Sequence, residues 1–262
     1  MHYCVIGNSH VAALKLGWDR VSAEYPNVRI TFFAAPATEM ESLEVCGTTL
    51  KPGTPSLERY LVLSGKAGQI DTESYDGIAL HGMGFSNRFT RSIYNRYRLL
   101  EHVPRRNGFL ISRDGFSEAL HGLLISSMGW RVAEKVREAL GRPPIMLCQP
   151  HPGQRIVETD KRWEIHPEDR ESLADLFLQT IEGIRTRGTP VLTQPPETVF
   201  GHIFTKTKYV GSPGAFSTAF GRVSGETDAP GTAAVETTHM NAEFGAAFIR
   251  QFLGQAQALV SA

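Results

Sequence analysis

Two short stretches at opposite ends of the chain hold residues that could do nucleophilic chemistry. Near the start, Tyr3-Cys4-Val5-Ile6 runs into Gly7-Asn8-Ser9-His10 and then Val11-Ala12-Ala13-Leu14. Residues of strand character meet a turn, and a helix begins at once. That arrangement sets Ser9 at the carboxyl end of a strand and beside the positive end of a helix, which favours developing negative charge. The same residues also make an ordinary Gly-Asn turn with Ser9 as a helix cap. Near the other end stands Glu236-Thr237-Thr238-His239-Met240-Asn241-Ala242-Glu243-Phe244-Gly245. Asn241 suits an N-cap and Glu243 the first helical turn, so His239 is held on a loop just outside a closing helix. Glu236 is close enough in sequence to accept the second ring N–H. A carboxylate that fixes a histidine tautomer, with that histidine taking a hydroxyl proton, is the logic of acyl transfer. A surface histidine beside a solvated glutamate is the plain alternative.

Other candidates surround these. Residues 85–114 are rich in arginine, with Arg88, Arg91, Arg96, Arg98, Arg105, Arg106 and Arg113 opposed only by Glu101 and Asp114. The segment suits a solvated surface helix, or a clamp for a carboxylate, phosphate or sulfate gripped by guanidinium donors. Phe89, Tyr94 and Tyr97 are interleaved and could stack on a sugar or ring. Pro150-His151-Pro152 closes one strand, and His10 and His81 flank the Ser9 turn. These histidines match no familiar ligand spacing, so no metal and no other cofactor is expected. Asn8, His10, His81, Arg88, Arg91 and His151 are the candidate substrate-binding residues.

The elements that must position them alternate along the chain. Strands are expected at 3–6, 28–33, 75–82, 145–149 and 190–194. Helices are expected at 11–24, 115–140, 167–187 and 241–259. Residues 42–70 suit a hairpin or loop excursion with Tyr60-Leu61-Val62-Leu63 as a short strand, and 195–235 show no clear periodicity. A loop of that length in a compact domain suits a lid or binding loop. Its lead into Glu236 and His239 makes it border the site. Alternation of this kind implies a parallel sheet with helices on both faces and right-handed crossovers. The expected organisation is one domain over 1–262 with insertions at about 42–70, 85–114 and 195–235.

Totals bound the function. The 262 residues are 41% hydrophobic, which excludes a disordered chain. Lys plus Arg is 27 and Asp plus Glu is 27, so no global field invites nucleic acid or an anionic membrane. No apolar run approaches the ~18 residues a membrane span needs. The three cysteines, Cys4, Cys46 and Cys148, are far apart and form no Cys-x-x-Cys pair. They suggest neither a disulfide framework nor a zinc site, and the expected location is the cytoplasm.

The two terminal blocks together resemble the SGNH/GDSL hydrolase superfamily. Gly7-Asn8-Ser9 is similar to its first block, Gly-Asp-Ser, and Glu236-x-x-His239 with Asn241 and Gly245 is similar to its last. The resemblance implies a three-layer α/β/α sandwich with a mainly parallel five-stranded sheet, of the flavodoxin-like, SGNH-hydrolase type. It implies Ser9 as nucleophile, His239 as base and acid, and Glu236 as the orienting carboxylate. The superfamily draws its oxyanion hole from the serine N–H, a glycine after the second strand, and the asparagine of Gly-x-Asn after the third. Here Ala34-Ala35-Pro36 follows the second strand and Gly82-Met83-Gly84 the third. Ser9, Gly82, Gly84 and Asn87 are therefore the candidate donors. The expected function is a serine esterase removing acetyl or other short acyl groups from a carbohydrate or small-molecule ester that could carry an anion. The missing asparagine keeps open an acyl or sulfuryl transferase using the same pair, or a non-catalytic carbohydrate-binding relic. The oligomeric state is not set by any of these features.

Overall fold

The first strand, β1 (His2–Gly7), is buried on both faces, as the centre of a parallel sheet requires. It pairs in parallel with β2 (Arg29–Ala34) on one side and β3 (Gly77–His81) on the other. β4 (Ile145–Leu147) pairs with β3, and β5 (Val191–Leu192) with β4, again in parallel. The order is β5-β4-β3-β1-β2. This computed structural model describes residues 1–104, 108–211, 214–222 and 237–261.

Alternate side chains of β1 serve opposite layers, because successive Cβ atoms leave a strand on opposite faces. Tyr3 and Val5 pack with α1 (Val11–Val21) and the closing helix, where Leu14, Phe244, Phe248 and Phe252 are buried. Cys4 and Ile6 pack on the other side. The helices there are α2 (Pro55–Gly65), α3 (Arg88–Tyr94), α4 (Arg113–Ile125), α5 (Met128–Leu140) and α6 (Arg170–Thr186). The result is a three-layer α/β/α sandwich on a wholly parallel five-stranded sheet. Among the described residues no helix is long and apolar enough to cross a membrane. All three cysteines are free, Cys4 and Cys148 buried and Cys46 exposed.

Two local expectations fail. Tyr60-Leu61-Val62-Leu63 is not a strand but lies within α2. Thr54 caps that helix, accepting from the Leu57 N–H at 3.1 Å, and Pro55 takes the first position. Leu57, Tyr60 and Leu61 then share one buried face at helical spacing, which a four-residue apolar window does not display. The single helix expected over 115–140 is two, because the Ser127 hydroxyl accepts from the Trp130 N–H at 3.2 Å and starts α5 afresh. Within 42–70 the expected hairpin is present as Leu43–Cys46 against Thr49–Pro52, extended by Ile70–Asp71. The 195–235 segment holds a small hairpin of Val199–Phe200 with Phe204–Thr205 and a short helix, Ala215–Phe220.

The closing helix, α7 (Ala242–Ser261), lies closer to α1 than two helices with side chains at the crossing could. A Cβ on Gly245 would overlap the Ala13 carbonyl oxygen, and a Cβ on Gly17 would overlap the Ala246 nitrogen. This crossing brings the loop before α7 to the carboxyl edge of the sheet.

Candidate active site

Ser9 leaves β1 and its carbonyl opens α1, accepting from the Ala12 N–H at 3.2 Å. Its hydroxyl does not cap the helix. Instead Ser9 Oγ lies 3.0 Å from His239 Nε2, a hydrogen bond across 230 residues of chain. The Ser9 N–H has no acceptor among the described residues and sits at the amino end of α1, where the helix dipole favours an anion; the N–H groups of His10 to Ala13 that follow it already have acceptors.

His239 is positioned through its backbone. The Gly211 N–H donates to the His239 carbonyl at 2.8 Å, and the Asn241 N–H donates to the Tyr209 carbonyl at 2.9 Å. Asn241 caps α7, its Oδ1 accepting from Glu243 and Phe244 at 3.0 and 3.1 Å. Its Nδ2 donates to the Lys208 carbonyl at 2.7 Å. One asparagine thus ties the 208–211 strap to the helix start, with His239 between. Thr238 Oγ1 is 3.5 Å from His239 Nδ1, at the outer limit of a hydrogen bond. Glu236, the expected orienting carboxylate, lies outside the described residues, as do Arg105 and Arg106.

A row of rings backs this pair. The His10 ring is 5.4 Å from that of His239 and 6.4 Å from that of His81, and Phe248 lies 5.4 Å beyond His81. Burial pushes His81 down to about 4, against the opposing pull of the Leu147 carbonyl 3.3 Å from its Nδ1. His81 is therefore neutral at physiological pH, a packed and polarisable wall rather than a second charge. Asn8 turns back on the loop, its Oδ1 accepting from the His10 N–H at 3.3 Å and lying against the face of Gly82.

Other candidate oxyanion donors already have acceptors. The Gly84 N–H donates to Gln149 Oε1 at 3.0 Å, the Gly82 N–H reaches the Leu147 carbonyl at 3.4 Å, and Asn87 Nδ2 donates to the Ile203 carbonyl at 3.3 Å. Gly82, Met83 and Gly84 all have left-handed backbone, at φ +81, +52 and +79, so the chain curls sharply off β3 instead of presenting a Gly-x-Asn amide.

Compared with models of protein families, the chain matches none, and no curated protein matches it. Among solved structures it is similar to the crystal structure of the lipase Lip_vut3 from goat rumen metagenome. The identity is 10%, the TM-score 0.35, and the match covers 85% of this chain and 99% of that one.

The remaining candidates separate into two places. Asn8, His10 and His81 gather at the Ser9 turn. Arg91 and His151 line a different cavity, described below, and Arg88 is exposed beside a smaller cleft. Tyr94, a candidate stacking platform, is unavailable for that role. It is buried, and its hydroxyl donates to Asp169 Oδ2 at 2.6 Å. Tyr97 instead packs its ring against Phe109 at 6.2 Å. Gln149 and Gln194 end two expected strands and Trp163 stands in no motif, so no sequence pattern marks any of the three as part of a site. Among the described residues no group of three or more His, Cys, Asp or Glu could hold a metal ion.

Proposed function

We propose that this protein is a serine ester hydrolase acting on short acyl esters, acetyl groups on a carbohydrate or a small molecule being the class in view. The observation that supports it is the 3.0 Å approach of Ser9 Oγ to His239 Nε2 at the carboxyl edge of the sheet. Nucleophile and base at hydrogen-bond reach are the signature of an activated hydroxyl. Ser9 Oγ attacks the ester carbonyl carbon while His239 Nε2 takes its proton. The tetrahedral oxygen is received by the Ser9 N–H and the amino end of α1. His239 then returns the proton to the departing alcohol, leaving an acyl group on Ser9. Water loses a proton to His239 and attacks the acyl carbon; the bond from that carbon to Ser9 Oγ then breaks, His239 gives its proton to Oγ, and the acid leaves with Ser9 restored. Glu236 would orient the imidazole. With one open donor, the Ser9 N–H, in place of three, the oxyanion should be held less well, and each lost donor typically slows turnover by about 10²- to 10³-fold.

The test is hydrolysis of 4-nitrophenyl acetate and of an acetylated sugar by the wild type, Ser9→Ala and His239→Ala. Loss of the activity in both variants supports the reading, and equal rates in all three refute it. The SGNH/GDSL resemblance of the two terminal blocks leads to the same roles for Ser9 and His239.

A further inference from the structure

Away from the Ser9 turn, a pocket lies between α3, α6 and the 193–203 segment, with a volume of about 290 Å³. That is near the small end of the range of ligand sites, roughly 300–1,000 Å³. Ile165, Leu173, Phe177 and Trp163 supply its apolar wall. Four of its lining residues carry polar side chains that the fold leaves wanting. Arg91 is 8% exposed, Asn87 5%, Thr90 3% and His151 9%.

Their hydrogen-bond accounts do not close. Arg91 offers five N–H donors, and among the described residues only Nη1 has a partner, Asp160 Oδ2 at 3.4 Å. That carboxylate is drawn elsewhere, because Arg162 holds both its oxygens at 2.8 and 2.9 Å. One carboxylate thus faces two guanidiniums, and an unbalanced positive charge sits in the cavity wall, stacked 4.7 Å over the Trp163 ring. Arg88 adds a like charge nearby, while Asp175, exposed at the rim, is the opposing acid among the lining residues. Asn87 spends its Nδ2 on Ile203, but among the described residues its Oδ1 has no partner, and neither does Thr90 Oγ1. His151 is pinned by its backbone: its N–H donates to Gln194 Oε1 at 2.7 Å and its carbonyl accepts from Thr205 Oγ1 at 2.7 Å. Its buried Nδ1 has no partner among the described residues.

We infer that this cavity is a binding site for a small carboxylate with an apolar body. The carboxylate meets the terminal Nη donors of Arg91, and the body fills the Trp163, Leu173 and Phe177 wall. A smaller cleft of about 130 Å³ shares Asn87 and Trp163 with the cavity and reaches Thr238, the neighbour of His239. The carboxylate site therefore shares two wall residues with the cleft that touches Thr238. It does not depend on the Ser9–His239 pair being catalytic.

The experiment is calorimetric titration with 3-phenylpropanoate and, as its uncharged match, 3-phenylpropanamide. The acid should bind the wild type and Ser9→Ala equally, and the amide should bind about tenfold more weakly or worse. Arg91→Gln should weaken the acid by a similar factor while leaving the amide unchanged. Failure of the acid to bind, or equal affinity of acid and amide for the wild type, overturns the inference. The wild-type comparison holds even if Arg91→Gln does not fold. Binding that persists in a protein with no esterase activity would remove the proposed hydrolysis and leave the site standing.

Discussion

The Ser9 turn and the cavity beside α3 both lie at the carboxyl side of the fold, yet the Ser9–His239 pair is closed while the cavity's guanidinium is left open. At the turn, the Ser9 hydroxyl and the His239 imidazole have found each other and the backbone of His239 is tied on both sides, while His81 Nε2 behind them is left buried without a partner among the described residues. In the cavity, Arg91, Asn87, Thr90 and His151 are buried with open valences. Each buried polar group left unmade costs about 1–3 kcal/mol, so evolution rarely keeps several together without a use. The contrast separates a place built to react from a place built to receive. The reacting pair must be aligned before substrate arrives, whereas the receiving groups are completed by it.

The comparison can be broken most decisively at the reacting pair. Ser9→Ala or His239→Ala should cut ester turnover by about 10³-fold or more, and the double variant should be no worse than either, since the groups act as a unit. A purely structural pair would show small, additive losses in the same assay.

Next in size is a pH effect that tests whether the buried histidines are neutral parts of the fold. Burial holds both His81 and His151 at about 4, below their ordinary 6.5. The unfolded chain therefore binds these protons first as pH falls. The stabilisation is whole above about pH 6.5 and is lost progressively toward pH 4, by about 3 kcal/mol for each histidine. Urea unfolding followed between about pH 7 and pH 4.5 should show this decline, and His81→Leu should flatten part of it.

The geometry that brings the two chain ends together can be sharpened at the α1–α7 crossing. Gly245→Ala forces a methyl against the Ala13 carbonyl. It should cost about 1–3 kcal/mol in denaturant unfolding and lower esterase activity with it, because the His239 loop moves with α7. The smallest expected effect is at the cap. Asn241→Ala should cost about 1 kcal/mol of stability, and its esterase loss should exceed that of an unrelated variant of equal stability.

Much of this was legible locally. Strand character followed by Gly-Asn-Ser and a helix is information carried within a dozen residues, and so is the Asn241 cap, which forms as its sequence implies. The alternation of apolar strands and amphipathic helices was enough for a parallel α/β sandwich, because each element's period is written in its own residues. Short windows were less informative. Tyr60–Leu63 carries strand-like residues, but the Thr54-Pro55 start and the helical spacing of Leu57, Tyr60 and Leu61 outweighed them.

What the tertiary structure alone decided is distance between parts remote in sequence. The approach of Ser9 to His239 depends on two bare glycines letting α1 and α7 touch, and no local pattern states how closely two helices will pack. The commitment of Gly84 and Asn87 to other acceptors, and the stranding of Arg91 between too few carboxylates, are likewise results of competition among neighbours that only folding assembles. The sequence by itself named the groups capable of chemistry; packing decided which of them are satisfied and which are left open.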